Sequence, residues 1–259
     1  MLIHAYAYNP PGCADAENTR SFTSNLNCNS TMSRAFVRNL YFQTKDLGKE
    51  ATLLLTFDSD VKGIYQICFP AICWLTTFGR TGSYRMHATY TSQLAFSRPQ
   101  VTDGNIIEAE TCMEINDSEK TTLTQKNCVF QFSNPVKGVP GYLEVRNDTG
   151  SIQDIALGFM SPRDLMPRPI LYFKEVEHTS NITIEFTPIL RAYITSDYKH
   201  TAILQGAIDT PAIWEQNLAA LSESTTWDLK RDPSTGHYKI TQADQGMSNS
   251  STQLTVVGA

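Results

Sequence analysis

Tyr84-Arg85-Met86-His87-Ala88-Thr89-Tyr90-Thr91 alternates with a period of two, with Tyr84, Met86, Ala88 and Tyr90 on one face and Arg85, His87, Thr89 and Thr91 on the other. Successive side chains of extended backbone leave opposite faces, so this stretch reads as a half-buried strand within 84–96. The pattern continues outward. Segments 51–57 and 63–69 are short and rich in β-branched and aromatic residues, joined by the polar turn Asp58-Ser59-Asp60. Further strands are expected at 105–115, 127–132, 142–146, 152–160, 170–177, 182–186, 189–195, 201–207, 237–241 and 253–257, while 33–43 fits helix or strand. Turn chemistry separates them, as in Asn147-Asp148-Thr149-Gly150 and Asp232-Pro233-Ser234-Thr235-Gly236.

The expected fold is therefore all-β: an antiparallel sandwich, jelly roll or barrel. One short helix is expected near 210–221, with Thr210 as N-cap, Pro211 in the first turn, and Ile213, Trp214, Asn217, Leu218 and Leu221 on one face. With 259 residues, 41% hydrophobic and 18% charged, the chain can bury a large core. It is read as a single disulfide-stapled β-domain over 1–259, with 133–141 the place where two packed subdomains would meet. A net charge of −5 makes nucleic acid a poor partner, because phosphate binding calls for a basic surface. No run approaches the roughly 20 apolar residues that span a bilayer, so a soluble protein is expected, with its oligomeric state left open.

Two features point to the secretory route. Six cysteines fall as Cys13/Cys28, Cys68/Cys73 and Cys112/Cys128, and sequential disulfide pairing is the simplest of fifteen arrangements. The alternative is six reduced thiols in a cytosolic protein. Asn-X-Ser/Thr sequons begin at Asn29, Asn116, Asn147, Asn181 and Asn249, none with proline in the middle. The opening Met1–Tyr6 has no basic region, apolar run or cleavage site, which fits a mature chain whose signal peptide has been removed.

Familiar catalytic signatures fail. Asp148-Thr149-Gly150-Ser151 matches the aspartic-protease string, but that chemistry needs two facing carboxylates and no second copy exists. A solvated turn is the better reading. No Gly-X-Ser-X-Gly occurs, and the five histidines are scattered without a His-X-His or His-Glu-X-X-His spacing, so no metal or cofactor is expected. Asp58 and Asp60 in one turn are more often a turn than a calcium site. What remains is a set of aromatic and cationic residues suited to line a cavity: Trp74, Tyr84 and His87, and Arg191 with Tyr193. Arg191 and Tyr193 lie two apart on one strand and share a face. Trp74, Tyr193 and Tyr84 are expected as substrate-binding walls, and Arg191 and His87 as catalytic hydrogen-bond donors. The plainer alternative makes the aromatics core and the cations solvated.

The opening His4-Ala5-Tyr6-Ala7-Tyr8-Asn9-Pro10-Pro11-Gly12-Cys13, the six-cysteine layout and the sequons together resemble the fungal secretory-route hetero-Diels–Alderases of tropolone sesquiterpenoid biosynthesis. The resemblance lies in whole-chain style and carries over no catalytic residue. It implies a cofactor-free enzyme with an apolar small-molecule substrate, which dehydrates a hydroxymethyl tropolone to a quinone methide and joins it to a cyclic sesquiterpene olefin. A cycloaddition requires no nucleophile, metal or cofactor, only two partners held in reacting geometry and donors for oxygens that gain charge. A secreted carbohydrate-binding β-protein is the competing expectation.

Overall fold

The computed structural model describes residues 35–243 except 60, 62, 162, 163, 196 and 197, and within them it leaves out the side chain of Ile107. These residues form four β-sheets, and the all-β expectation holds. In the first sheet β1 (Val37–Lys45) lies between β5 (Ser83–Thr91) and β17 (Ser224–Arg231), with β18 (Tyr238–Gln242) beyond. In the second, β2 (Ala51–Thr56) lies between β4 (Ile72–Phe78) and β15 (Ile189–Ile194), flanked by β16 (Trp214–Asn217). The third runs β3 (Phe69–Pro70), β13 (Arg168–Val176), β12 (Gln153–Phe159), β6 (Leu94–Thr102) and β7 (Asn105–Ile115). The fourth runs β10 (Val136–Lys137), β8 (Glu119–Lys126), β11 (Leu143–Asp148) and β14 (Asn181–Ile184), with β9 (Val129–Phe132) hairpinned onto β8. Most pairings are antiparallel, but β1–β17 and β8–β11 are parallel.

The alternation read from 84–91 is what the sheet uses over 85–90, whereas Tyr84 at its start is exposed and Thr91 at its end is buried. Met86, Ala88 and Tyr90 are buried, as are Leu40 and Phe42 on β1 and Trp227 and Leu229 on β17. They join Leu53 and Leu55 of β2, Leu157 and Phe159 of β12 and Leu123 of β8 in one hydrophobic cluster, so all four sheets share a core. No described helix is long and apolar enough to cross a membrane.

Several sequence expectations are corrected. The helix near 210–221 is absent: Trp214–Asn217 is a strand, followed by a single 3-10 turn at Leu218–Ala220. β15 offers an open edge there. Pairing of Ala192 with Trp214, continued by the Leu218 amide donating to the Pro188 carbonyl at 2.9 Å, satisfies backbone groups that a helix would have left bare. Segment 63–69 is mostly tight turn, with Gly63 and Tyr65 at φ of 80° and 61°. Segment 201–207 forms only isolated bridges to Ala71 and Asn105. Strands β4, β8 and β17 were not anticipated, although Thr225, Trp227 and Leu229 carry the period-two signal plainly. The expected strand 253–257 lies outside the described residues.

The cysteine pairing also differs. Cys68, Cys73 and Cys112 are free thiols, whereas Cys128 is disulfide-bonded; Cys13 and Cys28 lie outside the described residues. Cys68 closes the turn before β3 and Cys73 lies in β4, strands that belong to two different sheets, and neither thiol is bonded. Cys112 pairs with Ser97 within the third sheet, while Cys128 sits at the tip of the β8–β9 hairpin. The disulfide support for an oxidising compartment is correspondingly reduced.

A carboxylate cleft on the outer face of the second sheet

The second sheet is buried on both faces, and that creates a site. Along β2 and just beyond it, Leu53, Leu55 and Phe57 enter the main core. Leu54 belongs to a separate cluster on the opposite face, with Ile72, Tyr193 and Leu204. The chain after β15 covers that face: the Leu204 amide donates to the Pro70 carbonyl at 2.8 Å, and the Ile72 amide to the Ala202 carbonyl at 3.0 Å. Where this cover ends, a cleft of about 370 Å³ opens. Asp58, Tyr65, Arg191 and Tyr193 line one side, and Ala207, Ile208, Pro211 and Ala212 contribute an apolar side.

Asp58 is the centre of this cleft. Its side chain is only 4% exposed, and the Tyr193 hydroxyl donates to its Oδ2 at 2.6 Å. Its Oδ1 is buried without a hydrogen-bond donor. The Arg191 guanidinium stays 4.0 Å from Oδ1, because its Nε is held by Glu215 Oε2 at 2.5 Å across the β15–β16 pair. Burial pushes the Asp58 carboxyl above its usual range, and the Tyr193 hydrogen bond and the Arg191 charge only partly offset this. Tyr65 reaches in from the turn after β2, and its buried hydroxyl also lacks a partner. Burial, followed by the charge of Asp58, pushes that phenol up to about 12, so it is a donor at neutral pH. The cleft thus presents an unpaired acceptor, an unpaired donor and a cation against an apolar wall. Tyr65 and Asp58 face each other closely enough to interact, so the two can satisfy one another, or a water or bound molecule can do so.

Arg191 and Tyr193 therefore meet as their two-residue spacing implies, but the other expected site residues do not join them. Trp74 pairs with Leu55 on the core face of the same sheet, 7% exposed and stacked on Phe159 at 5.4 Å. It cannot share a cavity with Tyr193, which leaves the opposite face. His87 lies on the exposed face of the first sheet, stacked on Tyr41 at 4.5 Å, with Nε2 at 3.1 Å from Asn39 Oδ1. Tyr84 packs over Gly79, leaving no room for a Cβ there, and borders a separate groove with Gln43, Arg85 and Asp228. Asp58 and Tyr65 went unrecognised because a polar residue ending an apolar strand reads as a turn. The available signal was alternation: Leu54, Thr56 and Asp58 continue one face beyond the strand's end. Asp60, the other carboxylate of that turn, lies outside the described residues, among which no cluster of three or more potential metal ligands occurs.

The sequons divide. Asn147 is 0% exposed, and its Nδ2 donates to the Ser151 and Val176 carbonyls, both at 2.8 Å. A glycan at Asn147 would replace one of those hydrogens and break into this buried pair of bonds. Its Oδ1 accepts from the Thr149 amide at 3.1 Å and hydroxyl at 2.8 Å, which makes Asp148-Thr149-Gly150-Ser151 a side-chain-braced turn. Asn116 is half-buried and donates to Glu119, whereas Asn181 is exposed. Asn29 and Asn249 lie outside the described residues. Comparison with known proteins leaves the chain without an assigned relative: no family model, no curated protein and no solved structure matches it.

Proposed function

We propose that the chain is a cofactor-independent small-molecule cyclase acting in the Asp58 cleft, with the hetero-Diels–Alder reaction implied by its resemblance as the specific chemistry. The observation that carries this reading is the unpaired Oδ1 of the buried Asp58 beside two hydrogen-bond donors, with burial favouring the protonated form of its carboxyl. Dehydration of a hydroxymethyl tropolone needs an acid. Asp58 gives its proton to the departing hydroxyl, the C–O bond breaks and water leaves. The resulting carboxylate takes the proton of the ring hydroxyl, so Asp58 is regenerated as the quinone methide forms. Arg191 and Tyr65 donate to the carbonyl oxygen that gains charge as the olefin adds. The apolar side of the cleft and a neighbouring cleft of about 530 Å³, which shares Ala207, give the hydrocarbon partner room. The exposed Asn181 sequon is the acceptor expected on a secretory route.

The carbohydrate-binding alternative calls for a free aromatic platform. Tyr41, half-buried on the outer face of the first sheet, has His87 stacked on its ring and the Arg85 guanidinium 4.1 Å from its centroid, and the more exposed Tyr84 is packed over Gly79; Tyr142 is the other exposed aromatic ring among the described residues. The test is incubation of the protein with a hydroxymethyl tropolone and a humulene-type olefin, followed by chiral chromatography. A single optically active adduct formed faster than in buffer is the expected result. A racemic adduct at the buffer rate, with specific binding on a glycan array, would replace this reading with the alternative.

A further inference from the structure

Arg191 is close enough to Asp58 to form a hydrogen-bonded ion pair, yet it does not. The two strands explain why. Arg191 on β15 stands directly opposite Glu215 on β16, and the pair is closed through Nε. This tether leaves Nη1 as the nearest guanidinium nitrogen to Asp58, at 4.0 Å. Resting on the acid role assigned to Asp58 above, we infer that Glu215 is a positioning residue: by holding the Arg191 guanidinium short of Asp58 it keeps that carboxyl able to carry a proton at working pH. Without this hold, the arginine would swing onto Oδ1, the one unpaired acceptor within reach, and fix the carboxylate in its charged form.

Among the described residues, the charged and titratable groups facing Asp58 fit this division of labour. From β15 come Arg191 and Tyr193, from β16 Glu215, and from the turn after β2 Tyr65, with Tyr198 beside it. The 207–212 wall contributes Ala207, Ile208, Thr210, Pro211 and Ala212, none of which ionises. Among the described residues Arg191 is thus the only cation facing Asp58 from these elements, and its position weighs on the local balance. Glu215 also adds negative charge that favours the protonated carboxyl, a second effect in the same direction. The Arg191 and Glu215 side chains are 32% and 49% exposed, so solvent screens the direct charge effect more than it screens an arginine moved onto a buried carboxylate.

The test is a pH titration of aspartate carboxyl carbons by ¹³C NMR, with the Asp58 signal identified by its loss in Asp58→Asn. Glu215→Gln, at a half-exposed position on an edge strand, should lower the proton affinity of Asp58 three- to tenfold. In an Arg191→Met background the same Glu215→Gln change should move it less than twofold. An unmoved midpoint in the first comparison would overturn the inference. So would an equal shift in both backgrounds, because Glu215 would then act through its charge alone. The titration reads the carboxyl and not product, so the result stands apart from whether the cyclase assay succeeds.

Discussion

The Tyr193 hydroxyl on β15 donates at 2.6 Å to the carboxylate of Asp58, which lies just past the end of β2, and that bond ties the candidate acid to the central pair of the second sheet. Tyr193→Phe removes the short hydrogen bond that β15 gives this buried carboxyl. The loss should cost about 1.5–3 kcal/mol at neutral pH, the usual range for a bond to a charged group. It should also raise the Asp58 pKa further, since the bond favours the charged form. Chemical denaturation at pH 7 and pH 4 measures both effects, and the penalty should shrink at the lower pH.

Asp58 should itself reduce stability at neutral pH. Its folded-state pKa lies above the ordinary 3.8, so the folded chain holds the proton more tightly than the unfolded chain. The cost of the charged form is absent below 3.8, builds up to the folded value and is constant above it. Asp58→Asn should therefore stabilise at pH 7 and raise Tm. That gain should vanish near pH 3.5. Calorimetry at the two pH values reads it directly.

Asn147 should prove structural. Replacing it by Ala strips the donors from two carbonyls and the acceptor from the Thr149 turn, at a cost of about 2–4 kcal/mol. When the chain is expressed through a secretory pathway, glycopeptide mass spectrometry should find sugar at Asn181 and none at Asn147.

The thiols should differ in reactivity. Burial pushes Cys73 up to about 12 and Cys68 to about 11, while Cys112 is half-exposed. The thiolate is the reacting form, so alkylation of native protein should label Cys112 first and Cys73 only on unfolding. Cys128 should be labelled only after reduction. Peptide mapping under the three conditions separates them.

How far the sequence reached is clearest at three places. The period of two at 84–91 gave the strand and its buried face, because alternation is a local property of extended backbone. At 213–218, by contrast, Ile213, Trp214 and Leu218 suit a helix as well as a strand, and the open edge of β15 decided between them. That edge is invisible from the segment itself. The site shows the same limit. The spacing of Arg191 and Tyr193 put them on one face, but nothing local says that Trp74 leaves the opposite face of the same sheet. Nor does it say that the cover carrying Leu204 leaves Asp58 buried and half-satisfied.

The central claim is that Asp58 supplies the proton on which the chemistry depends, and single-turnover conversion of a hydroxymethyl tropolone with a humulene-type olefin by wild type and Asp58→Asn tests it most directly. Loss of a general acid should slow the Asn variant by about a hundredfold or more, with the folded state intact or stabilised. Conversion by the variant within about threefold of wild type would remove Asp58 from the reaction and contradict the account.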